Sequence, residues 1–134
     1  MRIVLDTNVV VSMVLGTRGF RLLYEAFRAG MLEPVMTDAM LDELEDVLGR
    51  SHLKIDPDSR EEFLTLLRQK AIRLSHPVPV VERSDPGDNA VLSAALTNQT
   101  ILVTGDHQLQ DLHPFRDVVP ILSPSEFTRR FLQP

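Results

Sequence analysis

Arg2-Ile3-Val4-Leu5-Asp6-Thr7-Asn8 is a short apolar run closed by an acid and two small polar residues. An unbroken Ile-Val-Leu triplet, in place of an alternation, marks a strand buried on both faces, as in a parallel sheet covered by helices. We read residues 2 to 6 as that strand. The same design returns at Ile101-Leu102-Val103-Thr104-Gly105-Asp106, a strand over 101 to 104 with an acid just past it. In an open parallel sheet the carboxyl ends of the strands form the ligand crevice. Asp6 and Asp106 are therefore expected to meet there although far apart in sequence.

Working outward, an apolar helix over 8 to 15 follows the first strand, then a turn from Gly16 to Gly19 and a helix over 20 to 29 stopped by Gly30. Glu33 to Met36 reads as a second strand, and Thr37 or Asp38 caps a helix over 38 to 48 that ends at Gly49. After a looser stretch, Arg50 to Asp58, a helix over 59 to 74 presents Phe63, Leu64, Leu66, Leu67, Ala71 and Leu74 on one face. Pro77 and Pro79 stop it before a weak strand at Val78 to Val81. Asp85-Pro86-Gly87-Asp88 opens a helix over 86 to 98, and a short helix over 107 to 112 follows the strand at 101 to 104. Val118 to Leu122 is the last strand, assigned to an edge because Pro120 cannot donate to a ladder. Ser123-Pro124-Ser125-Glu126 is a capping box that starts a final helix to about Leu132. Strands separated throughout by helices predict a three-layer α/β/α sandwich around a mainly parallel sheet of four to five strands.

The 134 residues suit one domain, taken here as residues 1–134. Apolar residues at 43% and charged ones at 25% are ordinary for a globular protein. Apolar stretches such as Val9-Val10-Val11 fall short of the roughly 20 residues of a membrane span. A strand beginning at Arg2 leads us to expect no signal peptide, and the sequence has no Cys, so disulfides, thiolate metal sites and cysteine nucleophiles are excluded. A reducing cytoplasmic location is expected. A net charge of -5 counts against a generic nucleic-acid binder, which is usually basic. If four of the acids are metal ligands, however, the remainder is close to neutral. Its cations are almost all Arg, which suits phosphate contacts.

Asp6 and Asp106 each have an ordinary structural role available, in ending a strand or capping the next helix. Asp88 fits such a role less easily. Residues three, four and seven further along its helix are Val91, Leu92 and Ala95, which sets it on the apolar stripe, where a carboxylate needs a partner. On the helix over 38 to 48, at about 100° per residue, Asp42 and Asp46 point away from the apolar arc while Glu43 and Glu45 flank it. Periodicity leaves both of these open as a fourth acid. At ~4 Å and an effective dielectric of ~20, each like-charged pair costs about 4 kcal/mol, so such a cluster calls for a cation. All-oxygen ligation suits Mg²⁺ or Mn²⁺ better than Zn²⁺, and such ions activate water for phosphodiester hydrolysis. His52, His76, His107 and His113 lack metal-ligand spacing and read as surface residues. No nucleophile elbow, phosphate-binding loop or dinucleotide turn is present.

These residues resemble the PIN-domain ribonucleases, in particular VapC-like toxins of toxin-antitoxin pairs. The resemblance runs from Ile3-Val4-Leu5-Asp6-Thr7-Asn8-Val9 through Leu41-Asp42-Glu43-Leu44 and Asp85-Pro86-Gly87-Asp88-Asn89 to Val103-Thr104-Gly105-Asp106 and the Pro-Ser-Glu-Phe start of the last helix. It implies a Mg²⁺- or Mn²⁺-dependent endoribonuclease in which Asp6, Glu43, Asp88 and Asp106 are the metal-binding catalytic acids, so it selects Glu43 over Glu45. Asn8 and Thr104 match supporting polar residues. A further acid often precedes the position of Asp88; Gly87 stands there here, leaving only Asp85 to assist, and one ion is implied more firmly than two. The resemblance also implies RNA as substrate, a homodimer and a small antitoxin partner.

Two other classes compete. A haloacid-dehalogenase-like phosphatase would want an Asp where Asn8 stands, and a receiver-type phosphotransfer domain a Lys after a late strand, whereas Lys54 and Lys70 lie in the helical middle. A PIN-like binding module that kept the acidic pocket without turnover is the remaining alternative.

Overall fold

The computed structural model describes residues 1–133. Strand β1 (Arg2–Leu5) pairs in parallel with β2 (Glu33–Met36) on one side and β4 (Ile101–Val103) on the other. The sheet extends to β3 (Ile72–Arg73) beyond β2 and to β5 (Ile121–Leu122) beyond β4, all parallel. In the resulting order β3-β2-β1-β4-β5 the chain steps outward from β1, then reverses across it to β4. The reversal between β1 and β4 is the topological switch point, where open α/β sheets leave a crevice at their carboxyl ends.

Helices α1 (Thr7–Leu15) and α2 (Arg21–Arg28) connect β1 to β2; α3 (Asp38–Leu48), a 3₁₀ turn at Ser51–Leu53 and α4 (Pro57–Lys70) connect β2 to β3. Helix α5 (Pro86–Asn98) leads into β4, α6 (His107–Gln110) toward β5, and α7 (Pro124–Phe127) winds into a π turn at Thr128–Leu132. Right-handed crossovers put helices on opposite faces when the direction of stepping reverses. Accordingly Val10, Met13, Phe27, Phe63 and Leu67 gather over Leu5, Pro34 and Met36 on one face, and α5 packs across β1, β2 and β4. Ile3 and Val4 point to opposite faces, yet both are fully buried. This is the three-layer sandwich expected. Tyr24, Phe27 and Phe63 interlock beneath the sheet, the last two with ring centroids 5.6 Å apart. None of the described helices is long and apolar enough to cross a membrane.

The expected spans of β2, α3 and α5 coincide with those observed. Ser123 caps α7 as expected, its hydroxyl accepting from Glu126 N at 3.1 Å, although the turn from Thr128 onward is π rather than α. Other expectations need correction. The helix expected over 59 to 74 starts at Pro57, capped by Asp56, and stops at Lys70. Ile72–Arg73 then peel off as β3, with Leu74 N bonded to Met36 O at 2.9 Å; the open edge of β2 prevails over helical periodicity there. No strand forms at Val78 to Val81. Prolines 77 and 79 interrupt its donors, and Val78 turns instead to α5, its N–H donating to Thr97 Oγ1 at 2.8 Å. The last strand shrinks to Ile121–Leu122, because Val118 and Val119 belong to a tight turn closed by a Phe115–Val119 bridge. Pro120 lies at the sheet edge as expected, offering only its carbonyl, to Leu102 N at 2.9 Å.

Candidate functional site

Three of the candidate acids, Asp6, Asp88 and Asp106, sit where one element gives way to the next, and Glu43 lies midway along α3. Asp6 follows β1, extends the ladder through its own N–H to Val103 O at 3.0 Å, and caps α1 through Oδ1, which accepts from Thr7 N at 2.8 Å. Asp106 caps α6, accepting from Gln108 N at 2.8 Å. Asp85 caps α5, accepting from Gly87 N at 2.7 Å. Asp88 occupies the first turn of α5, on the stripe of Val91, Leu92 and Ala95, all of them buried. The capping role and the site role are thus not rivals: capping is what points these carboxylates out of the strand ends.

Asp6, Glu43, Asp88 and Asp106 line one cavity of about 460 Å³, together with Asn8 and Asp85. Thr104 is fully buried and ties two of the acids together. Its hydroxyl donates to Asp6 Oδ2 at 2.7 Å and accepts from Asp106 N at 3.1 Å. Glu45 is turned to an ion pair with Arg68. Glu43 instead leans over the start of α5, where a Cβ on Gly87 would lie 3.6 Å from its Oε1 and 3.2 Å from Asp85 Oδ1. Glycine at 87 leaves that approach open.

The cavity is electrostatically uneasy. Burial pushes the Asp6 carboxyl above its ordinary value of 3.8, reinforced by the charges of Asp106 and Asp85 and opposed by the hydrogen bonds from Thr104 and Thr7. Burial likewise raises Asp88, reinforced by Asp85, Asp106 and Asp6 and opposed by Arg83. Among the described residues no three acidic or His side chains converge closely enough to hold an ion as they stand. Asp6, Asp85 and Asp106 each accept a nearby amide N–H. The donor chemistry fits a hard divalent cation, since the ionisable side chains facing the cavity are carboxylates and two arginines, with neither His nor Cys.

Four residues of this site escaped sequence reasoning. Arg50 and Arg83 line the cavity along with Gln108, and Asn89 anchors the segment that carries Arg83. Asn89 stood beside Asp88 and Arg83 two places before Asp85, but no periodicity links a loop residue to a helix it has not yet joined. His113, read as a surface residue, is exposed and accepts Ile121 N through Nδ1 at 2.9 Å.

Comparison with known proteins gives one positive result, a match of residues 2–108 to a family model described as PIN domain. No curated protein and no solved structure matches the chain. The matched residues span β1 through the start of α6 and so include all four candidate acids and four of the five strands of the parallel sheet, β5 lying beyond the match. On that match and this architecture, the chain belongs to the PIN-domain family, whose members are generally nucleases and typically use divalent metals.

Proposed function

We propose that this protein is a Mg²⁺- or Mn²⁺-dependent endoribonuclease that hydrolyses RNA phosphodiester bonds. The observation that carries the reading is the convergence of Asp6, Glu43, Asp88 and Asp106, from four separate elements, on one cavity at the switch point of the sheet. These four residues would hold the ion. Bound there, Mg²⁺ or Mn²⁺ supplies a Lewis acid that activates water and offsets charge on the phosphodiester. The chain itself sets the geometry. Thr104 ties the Asp6 carboxylate to the Asp106 backbone, Asp85 caps the start of α5 beside Asp88, and Asn8 adds a neutral polar wall. The resemblance implies one ion more firmly than two, because Gly87 stands where such sites often carry a further acid.

The finer reading, a cytoplasmic VapC-like toxin that forms a homodimer and is neutralised by a small antitoxin, rests on the resemblance of the Asp-Thr-Asn, Asp-Pro-Gly-Asp-Asn and Thr-Gly-Asp motifs. The decisive experiment is cleavage of RNA in Mg²⁺ or Mn²⁺ by wild type, Asp6→Asn and Asp106→Asn. The variants should lose on the order of 100-fold or more in rate, as when a group acting on the transition state is removed. Equal rates in all three proteins would sink the proposal, and metal binding without turnover in the wild type would favour a silent binding module.

A further inference from the structure

Arg83 lies in a segment without regular structure, yet its backbone is held from both sides by one side chain. Asn89 Oδ1 accepts from Arg83 N at 2.8 Å and from Glu82 N at 3.1 Å, while Asn89 Nδ2 donates to Arg83 O at 2.7 Å. Asn89 is in the first turns of α5, one residue past Asp88, so this clamp ties the position of Arg83 to that of the acid. From there the side chain crosses the cavity mouth, with Nη2 donating to Gln108 Oε1 at the start of α6 and Nε facing Asp88 Oδ2 at 3.5 Å.

The Asp88 contact is long. A tight charge-assisted pair closes to about 2.7–2.9 Å, so the pair with Asp88 is a loose one, with which an incoming phosphate can compete. A guanidinium carries five N–H donors in a planar fork, and these contacts engage only two of them. The other cation on the cavity wall is Arg50, which faces Asp46 at the same 3.5 Å but has a side chain 54% exposed, against 28% for Arg83. A phosphodiester entering a cavity lined by acids, in a chain of net charge -5, needs a local positive group. Arg83 is the one built into the site.

We propose that Arg83 binds a phosphate of the RNA strand and that Asn89 is the positioning residue that aims it. The proposal rests on the ribonuclease reading above and adds the residue through which substrate is held. Gln108 holds one arm of the fork beside the cavity, which leaves the guanidinium's other N–H groups available to a phosphate.

The test is binding of a short fluorescein-labelled single-stranded RNA to the full chain, by anisotropy over a salt series with Ca²⁺ in place of Mg²⁺. Arg83→Gln should raise the Kd about tenfold, as expected for loss of one charge-assisted contact. It should also reduce the slope of log affinity against log salt by about 0.7, the value for one phosphate contact on a single strand. Arg83→Lys should restore the slope and only part of the affinity, because a point charge replaces a fork. Asn89→Ala should weaken binding in the same direction. A purely structural role for Arg83 would lower affinity without changing the slope and without rescue by Lys, and that result overturns the proposal. Unchanged affinity and slope in Arg83→Gln overturn it while leaving the ribonuclease reading in place. Absence of RNA binding by the wild type overturns both.

Discussion

Val4 and Asp6 are two residues apart on one stretch of chain, and they belong to opposite physical worlds. Val4 is fully buried at the centre of the sheet, in a core where β1 meets α5 on one side and the Tyr24, Phe27 and Phe63 cluster fills the other. Asp6 is half-buried at the rim, where burial first, and then the charges of Asp106 and Asp85, raise its proton affinity. The core is apolar surface withdrawn from water, worth about 1.5–3 kcal/mol for each large side chain. The crevice gains nothing comparable. Folding gathers like charges there, and the apolar sandwich supplies the stability that holds them together. What the difference teaches is that the site is a region the fold tolerates, not one that drives it.

Substitutions on the two sides should therefore act with opposite sign. Phe27→Ala, removing a fully buried ring, should lower stability by about 3–5 kcal/mol in urea denaturation; a loss below ~1 kcal/mol would mean that the aromatic cluster is not the core it looks like. Next in size, Mn²⁺ at a hundred times its Kd should stabilise the wild type by about 2.7 kcal/mol through mass action. Asp6→Asn should show a much smaller gain, and an equal gain would place the ion elsewhere.

The smallest effect is on pH. Because the Asp6 carboxyl is raised in the folded state, its contribution to stability is present below the unfolded value near 3.8 and is lost as pH rises through the folded value. Metal-free Asp6→Asn should thus gain stability relative to metal-free wild type as pH increases from about 4 toward neutrality. A difference that stays constant, or shrinks, would show that Asp6 is not held at a cost.

The two regions also differed in how readily they could be read. The core elements were legible because burial is encoded by composition: the Ile3-Val4-Leu5 run, the α3 arc and the α5 stripe each specify an element and its inward face. Edges were not. β3 and β5 have two residues each, too few for a period, and they form where β2 and β4 leave N–H and C=O groups to be paired. In the site, Asp6, Asp88 and Asp106 were visible from their places at element ends. Glu43 and Glu45 were equivalent by periodicity, and what separates them is Arg68, which pairs with Glu45 from α4. Arg83 carried no signal and Asn89 entered only as part of the Asp-Pro-Gly-Asp-Asn motif, because their pairing depends on how an irregular segment lies against α5.

By itself, then, the sequence determined the central parallel strands, the helices that cover them and the three acids at their ends. These depend on patterns a few residues long, where spacing alone settles which side chains turn inward. Periodicity left the choice between Glu43 and Glu45 open and the family resemblance favoured Glu43, whereas only the tertiary structure decided how Thr104 links Asp6 to Asp106 and that Arg83 reaches Gln108 beside the cavity. Each of these depends on contacts between segments distant in sequence, whose separation is set by packing and charge in three dimensions.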